Sequence, residues 1–258
     1  MKEENYIKQS YHSEKNEIIS QDIKNKIDLI IKRNICQIIK KDCYGTGFFC
    51  KIGLDANIYL KMFITSNHIL NEKEIEPGQT IELSINNNDI KKKIIINNTR
   101  QTYTDKSYDV TIVQIKENDE IDKNSFFDLD EQIFQNNAKE IFTKCPIYVL
   151  HYPNGGYFSC SKGIIESLKE YKDDQTIYHT CNTEHGSSGA PLINKQNFKI
   201  IGIHNGTSKE KDQNINIGIL LKEPIEKFKE IMKKNIITKN YKEVNFKSLS
   251  LFLVFYWQ

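Results

Sequence analysis

The stretch Glu184-His185-Gly186-Ser187-Ser188-Gly189-Ala190-Pro191-Leu192 sets a serine between glycines in a tight turn, with Pro191 and an apolar strand start directly after it. This is what an acyl-transfer nucleophile needs. Its hydroxyl must stand clear of bulky neighbours, and backbone N–H groups must point at the oxyanion that forms beside it. The G-x-S-G register selects Ser188, not Ser187, as that nucleophile. Alone, such a turn is equally an ordinary surface loop, so the reading depends on a base and an orienting acid elsewhere in the chain.

Both are present upstream. Phe63-Ile64-Thr65-Ser66-Asn67-His68-Ile69-Leu70 is a short apolar run that turns polar and carries a histidine at its edge. Tyr108-Asp109-Val110-Thr111-Ile112-Val113-Gln114-Ile115 places an aspartate at the start of a β-branched strand. Histidine can accept the serine proton and return it, because its pKa lies near neutrality. A partly buried aspartate can hold the other ring nitrogen's proton and steady the imidazolium. Taken singly, the histidine is a structural strand residue and the aspartate a turn former. The order His68, Asp109, Ser188 makes the joint reading stronger than any of its parts.

Five segments in this order resemble the trypsin-like (chymotrypsin-fold) serine peptidases: Gly45-Thr46-Gly47-Phe48-Phe49, Ile64-Thr65-Ser66-Asn67-His68, Tyr108-Asp109-Val110-Thr111-Ile112, Gly186-Ser187-Ser188-Gly189-Ala190-Pro191 and Ile201-Gly202-Ile203-His204. The likeness spans roughly residues 34–235 and is nearest to the HtrA-type and glutamyl-endopeptidase-like members. It implies a serine endopeptidase with His68, Asp109 and Ser188 as catalytic triad and the amides of Gly186 and Ser188 as oxyanion hole. No cofactor and no metal are implied, and the partner is a protein or peptide substrate. Secreted members need cleavage to free an Ile-type N-terminus; no such site is read here. A lipase-type elbow is excluded, because the residue two after Ser188 is Ala190. The alternative from another class is a catalytically silent fold of this type serving as a protein-interaction module.

The resemblance also bears on specificity. Members that cut after Lys or Arg carry an aspartate at the S1 base, five or six residues before the nucleophile, where this chain has Asn182 and Thr183. The segment Gly202-Ile203-His204-Asn205-Gly206 instead resembles glutamyl endopeptidases and picornaviral 3C-type proteases, implying that His204 and Thr183 contact a P1 Glu or Gln. His204 as a strand residue filling the pocket wall stands beside that reading. The backbone of Asn205, Gly206 and Thr207 would pair with substrate as an added antiparallel strand. Glu184 and His185 read as exposed residues at the cleft mouth.

The remaining apolar runs are short, at residues 35–39, 45–52, 58–65, 79–84, 94–97, 109–115, 147–151, 163–167, 176–180, 191–193, 198–203 and 215–221. Each is strand length and is bounded by Gly, Pro, Asn, Asp or charge clusters. The expected fold is all-β: two six-stranded antiparallel barrels (chymotrypsin-like), with a short N-terminal helix over 20–33 capped by Ser20 and a C-terminal helix over 224–234. The latter would bury Ile225, Phe228, Ile231 and Met232. The expected divisions are a mobile tail at 1–19, the first helix and barrel at 20–135, the second barrel at 136–222, and a helix with an apolar tail at 223–258.

Composition narrows the partners. The formal net charge is +2, and the only arginines are Arg33 and Arg100. Phosphate recognition favours arginine forks, so no nucleic-acid partner is expected. Runs such as Asn86-Asn87-Asn88 and Lys91-Lys92-Lys93 read as solvated loops. The first twenty residues lack an apolar secretory core, and the six cysteines show no CxxC pair, so a reduced cytoplasmic protein is expected. The uncharged run 249–257 is about half the length needed to span a bilayer. It reads as a docked strand or as the start of further sequence, with an interfacial membrane anchor the lesser alternative.

Overall fold

A computed structural model describes residues 20–41, 43–55, 58–87, 89–171, 174–210 and 213–235. The expected tail at 1–19 and the apolar run at 249–257 lie outside them. Helix α1 (Gln21–Ile31) starts where Ser20 Oγ accepts the Ile23 amide, and it buries Ile27 and Ile30. Eight strands follow: β1 (Ile35–Ile39), β2 (Tyr44–Asp55), β3 (Ile58–Thr65), β4 (Thr80–Ile85), β5 (Ile90–Ile95), β6 (Thr102–Asp105), β7 (Val110–Gln114) and β8 (Phe127–Asp128). The first seven pair antiparallel in the order β5-β4-β1-β2-β3-β7-β6, and β8 runs parallel to β2.

After the short helix α2 (Ala138–Phe142) come β9 (Pro146–His151), β10 (Ser159–Tyr171), β11 (Asp174–His179), β12 (Pro191–Asn194), β13 (Ile200–Glu210) and β14 (Gln213–Leu220). These six close into a barrel in the order β10-β11-β14-β13-β12-β9. A helix over 222–235, α3, follows. It turns back onto the first sheet: Phe228 meets Tyr103 edge-on at 6.3 Å, and Lys227 Nζ lies 4.4 Å from the Tyr108 ring and 3.7 Å from Asp105. Among the described residues no helix is long and apolar enough to cross a membrane.

Alternation along the central strands feeds two cores. Phe49, Phe63 and Val113 point into the first unit's own interior. Their neighbours Phe48, Ile64 and Ile112 point the other way, into a core shared with the second barrel. Residues 45–50 of β2, 62–65 of β3 and 110–113 of β7 are thus buried on both faces, which is why these stretches read as near-continuous apolar runs.

The second unit is the closed six-stranded barrel expected; the first is a half-barrel of eight strands, and together they keep the double-barrel architecture expected. Its open side is bridged by a side chain. Arg100 donates to Ile95 O at the end of β5 (2.9 Å) and to Gln114 O at the end of β7 (2.6 Å). It also forms a two-pronged, fully buried pair with Asp119 at 2.6 and 2.8 Å.

Other expectations change in detail. Lys91-Lys92-Lys93 lie within β5 rather than a loop, their charge carried partly by Glu120 and Glu82. Ile231 is 39% exposed, so the buried stripe of α3 is Ile225, Phe228 and Met232. The strands β6 and helix α2 were not legible, being four and five residues long with mixed polarity.

Replacing Arg100 by Met leaves Asp119 as an uncompensated buried charge. It is expected to cost about 3–5 kcal/mol, measured as the shift in urea unfolding free energy.

Candidate active site

His68 follows β3 and Asp109 precedes β7, and these strands are neighbours with Thr65 opposite Thr111. The pairing brings the two residues together. Asp109 Oδ2 lies 2.7 Å from His68 Nδ1, and its Oδ1 accepts the His68 amide at 2.8 Å. A carboxylate at Nδ1 puts the ring proton there and leaves Nε2 as the bare, basic nitrogen. Asp109 adopts a left-handed backbone with φ of 50°, uncommon for a residue with a side chain.

The serine turn is held against the first sheet at Thr46. Its amide donates to Ser188 O at 2.9 Å, and its hydroxyl donates to Gly186 O at 2.7 Å. A side chain at residue 189 would sit 2.1 Å from Thr46 O, with φ already at +87°, so only glycine allows this approach. Ser187 is fully buried, whereas Ser188 is partly exposed.

Within the turn the amides of Ser187, Gly189 and Ala190 donate to Glu184 O, His204 O and Ser187 O. Among the described residues those of Gly186 and Ser188 have no protein acceptor. The carbonyl of His185 is taken by the Asn154 amide at 2.5 Å. The Gly186 N–H at the other end of the same planar peptide is therefore turned the opposite way.

The serine does not reach the histidine in this state. Ser188 Oγ donates to Asn205 O at 3.2 Å. The β13–β14 register shifts between His204 and Gly206, and this bulge frees Asn205 from the ladder. Its carboxamide then points across to the first sheet and donates to Asp109 Oδ2 (2.8 Å), Asp109 O (2.9 Å) and Tyr108 O (3.4 Å). Three facing acceptors fix which end of the amide is nitrogen. The sequence reading gave Asn205 a backbone role only; its side chain is the contact that reading missed. A polar residue beside His204 in an apolar strand is the signal that was available.

The remaining candidates gather behind the turn. Thr183 Oγ donates to Asn216 Oδ1 at 2.6 Å, and Asn216 Nδ2 donates to Cys181 O at 2.6 Å. His204 is 2% exposed, with its Nδ1 3.0 Å from His179 Nε2. Gly206 and Thr207 continue β13, paired with Ile217 and Asn216. Glu184 and His185 are exposed, and Glu184 accepts the Asn154 side-chain amide. Burial holds three histidines neutral: His151 is lowered to about 4, His179 to about 3, and His204 well below 6.5.

The eight-stranded half-barrel carries the histidine–aspartate pair, and the closed barrel carries the glycine-flanked serine. The profile of the trypsin-like peptidase domain matches residues 45–203, and the chain belongs to this family of serine-type endopeptidases. Solved structures show the same fold at low identity. The Rv3671c protease of M. tuberculosis, in an inactive form, is 17% identical over 80% of this chain and 92% of its own, with TM-score 0.53. The serine endoprotease from Yersinia pestis is 13% identical over 83% and 68%, with TM-score 0.57. The HtrA-type protease AlgW with tripeptide is 14% identical over 81% and 64%, with TM-score 0.57. None of the curated proteins matches this sequence.

The buried histidines predict a pH dependence of stability. Their folded pKa values lie below 6.5, so between pH 6.5 and about 4 the unfolded chain binds protons that the native state does not. Their contribution is complete above pH 6.5 and is lost as pH falls, at about 1.4 kcal/mol per pH unit for each. Denaturant unfolding from pH 7 to 4 should show this slope, and His179→Gln should reduce it by one proton's worth.

Proposed function

We propose that the protein hydrolyses peptide bonds through His68, Asp109 and Ser188, by way of an acyl-enzyme, with a preference for Glu or Gln at P1. The observation that carries this reading is the pair of unspent amides at Gly186 and Ser188, set beside a serine across the cleft from a histidine whose Nδ1 is held by Asp109. In the first step Ser188 rotates about χ1 from Asn205 O to His68 Nε2. As its oxygen attacks the scissile carbonyl, His68 takes the proton and Asp109 stabilises the imidazolium. The oxyanion is received by the amides of Gly186 and Ser188. His68 then protonates the leaving amine, and water repeats the sequence on the ester.

Asn205 stands at two points of this path. Its carbonyl holds the resting hydroxyl and its amide holds the acid. The P1 reading draws on Thr183, Asn216 and neutral His204, a polar and uncharged group with no counter-ion for Lys or Arg. The backbone of Asn205, Gly206 and Thr207 takes the residues before the cut as an added strand. Six free cysteines, four of them buried, support a reducing, cytoplasmic setting. The silent-module reading draws on one observation, the Ser188 hydroxyl turned to Asn205 O instead of His68.

A fluorophosphonate probe separates the two readings: wild type is expected to label and Ser188→Ala is not. A folded wild type that stays unlabelled supports the silent module. In a peptide library, cleavage after Glu or Gln that is lost in His204→Ala supports the pocket assignment; indifference to P1 rejects it. Asn205→Ala removes hydrogen bonds to a charged group and should lower kcat/KM on the order of 10–100-fold.

A further inference from the structure

Ser187, the residue before the proposed nucleophile, is fully buried and engaged twice. Its Oγ accepts the Glu184 amide at 2.9 Å and lies 2.6 Å from Nδ1 of His151. A hydroxyl has one proton, and the Glu184 contact uses an acceptor site only. His151, at the end of β9, is 3% exposed, and burial lowers its pKa to about 4. At neutral pH the ring is uncharged, and a single proton lies between Nδ1 and Ser187 Oγ, which is the one polar contact of this ring because its Nε2 is buried without a partner among the described residues.

This contact closes a small frame. Ser187 N–H donates to Glu184 O while Glu184 N–H donates to Ser187 Oγ, so the two residues bind each other reciprocally. The peptide between His185 and Gly186 hangs inside that frame, its carbonyl held by Asn154, three residues after His151. Gly186 has φ of +85° and lies so close to Tyr152 O that a Cβ would sit 2.6 Å from it. Turning the peptide over would point the Gly186 N–H away from the cleft.

We propose that Ser187 and His151 are a positioning pair that holds residues 184–188 in the conformation where the Gly186 and Ser188 amides face the oxyanion. Both members are uncharged, so the contact between them is a hydrogen bond and not a buried ion pair. The proposal rests on the oxyanion-hole assignment above and adds the device that maintains it.

The test compares Ser187→Ala, His151→Leu, His151→Asn and the double variant Ser187→Ala/His151→Leu. Asn is chosen because its carboxamide can stand where Nδ1 does and either accept from or donate to Ser187 Oγ. Ser187→Ala and His151→Leu are expected to lower kcat about 10–100-fold with KM within about threefold, and to weaken a peptidyl boronate by the kcat factor. The double variant should be no worse than either single one, and His151→Asn should keep most of the activity. Wild-type kcat and boronate affinity in folded Ser187→Ala and His151→Leu would overturn the pair. If Ser187→Ala fails to fold, the contrast between Asn and Leu at residue 151 decides. If wild type itself fails to label with fluorophosphonate, the proteolytic reading is what fails. The pair is then judged by histidine ring ¹⁵N shifts: a His151 Nδ1 resonance perturbed by Ser187→Ala supports it, and an unperturbed ring rejects it.

Discussion

The cleft depends on the burial of Thr46. Its amide and hydroxyl donate to Ser188 O and Gly186 O, its hydroxyl accepts the Tyr152 amide at 3.1 Å, and its carbonyl accepts Thr65 Oγ at 2.8 Å. One fully buried residue of β2 therefore fastens the serine turn, β9 and the end of β3 to each other. Buried polar groups are costly unless satisfied, so this network tolerates few alternative arrangements. His68 sits three residues beyond Thr65, and its distance to the turn follows from these contacts. A catalytic arrangement split between two units gains its precision at their seam.

Hydrogen bonding without net charge is the prevailing device near the cleft. His151, His179 and His204 are kept neutral by burial, and Thr183, Asn216 and Asn205 complete the polar lining. Charge is used at Asp109, where it meets His68 and Asn205, and at a remote point, the Arg100–Asp119 pair on the open side of the first sheet. Neutral groups cost less to bury than ions, and their hydrogen bonds still fix direction.

Much of this was legible in the chain. The G-x-S-G turn, the histidine after β3 and the aspartate before β7 announced themselves because their chemistry demands particular residue types in sequence-local settings. The strands were readable because the buried stretches of β2, β3 and β7 are apolar on both faces. What could not be read were relations between distant residues. Nothing local to Asn205 says that a bulge aims its amide at Asp109, 96 positions away. Nothing near His151 marks it as Ser187's partner, since a histidine ending an apolar strand looks the same whether it is bonded or merely buried. The open first sheet was equally hidden, because Arg100 replaces ladder bonds by a contact that leaves no periodic trace.

The return of α3 to the first sheet has a consequence for the order of assembly. Synthesis releases His68 and Asp109 early, but Tyr103, Asp105 and Tyr108, which flank the acid, receive Phe228 and Lys227 only near the end of the described chain. Asn205, which steadies Asp109 itself, also comes late. A nascent chain thus carries His68 and Asp109 without the contacts that orient them. The cleft can be completed only after β13 and α3 have been made, so its ordering is tied to the later part of the chain by the topology of the backbone.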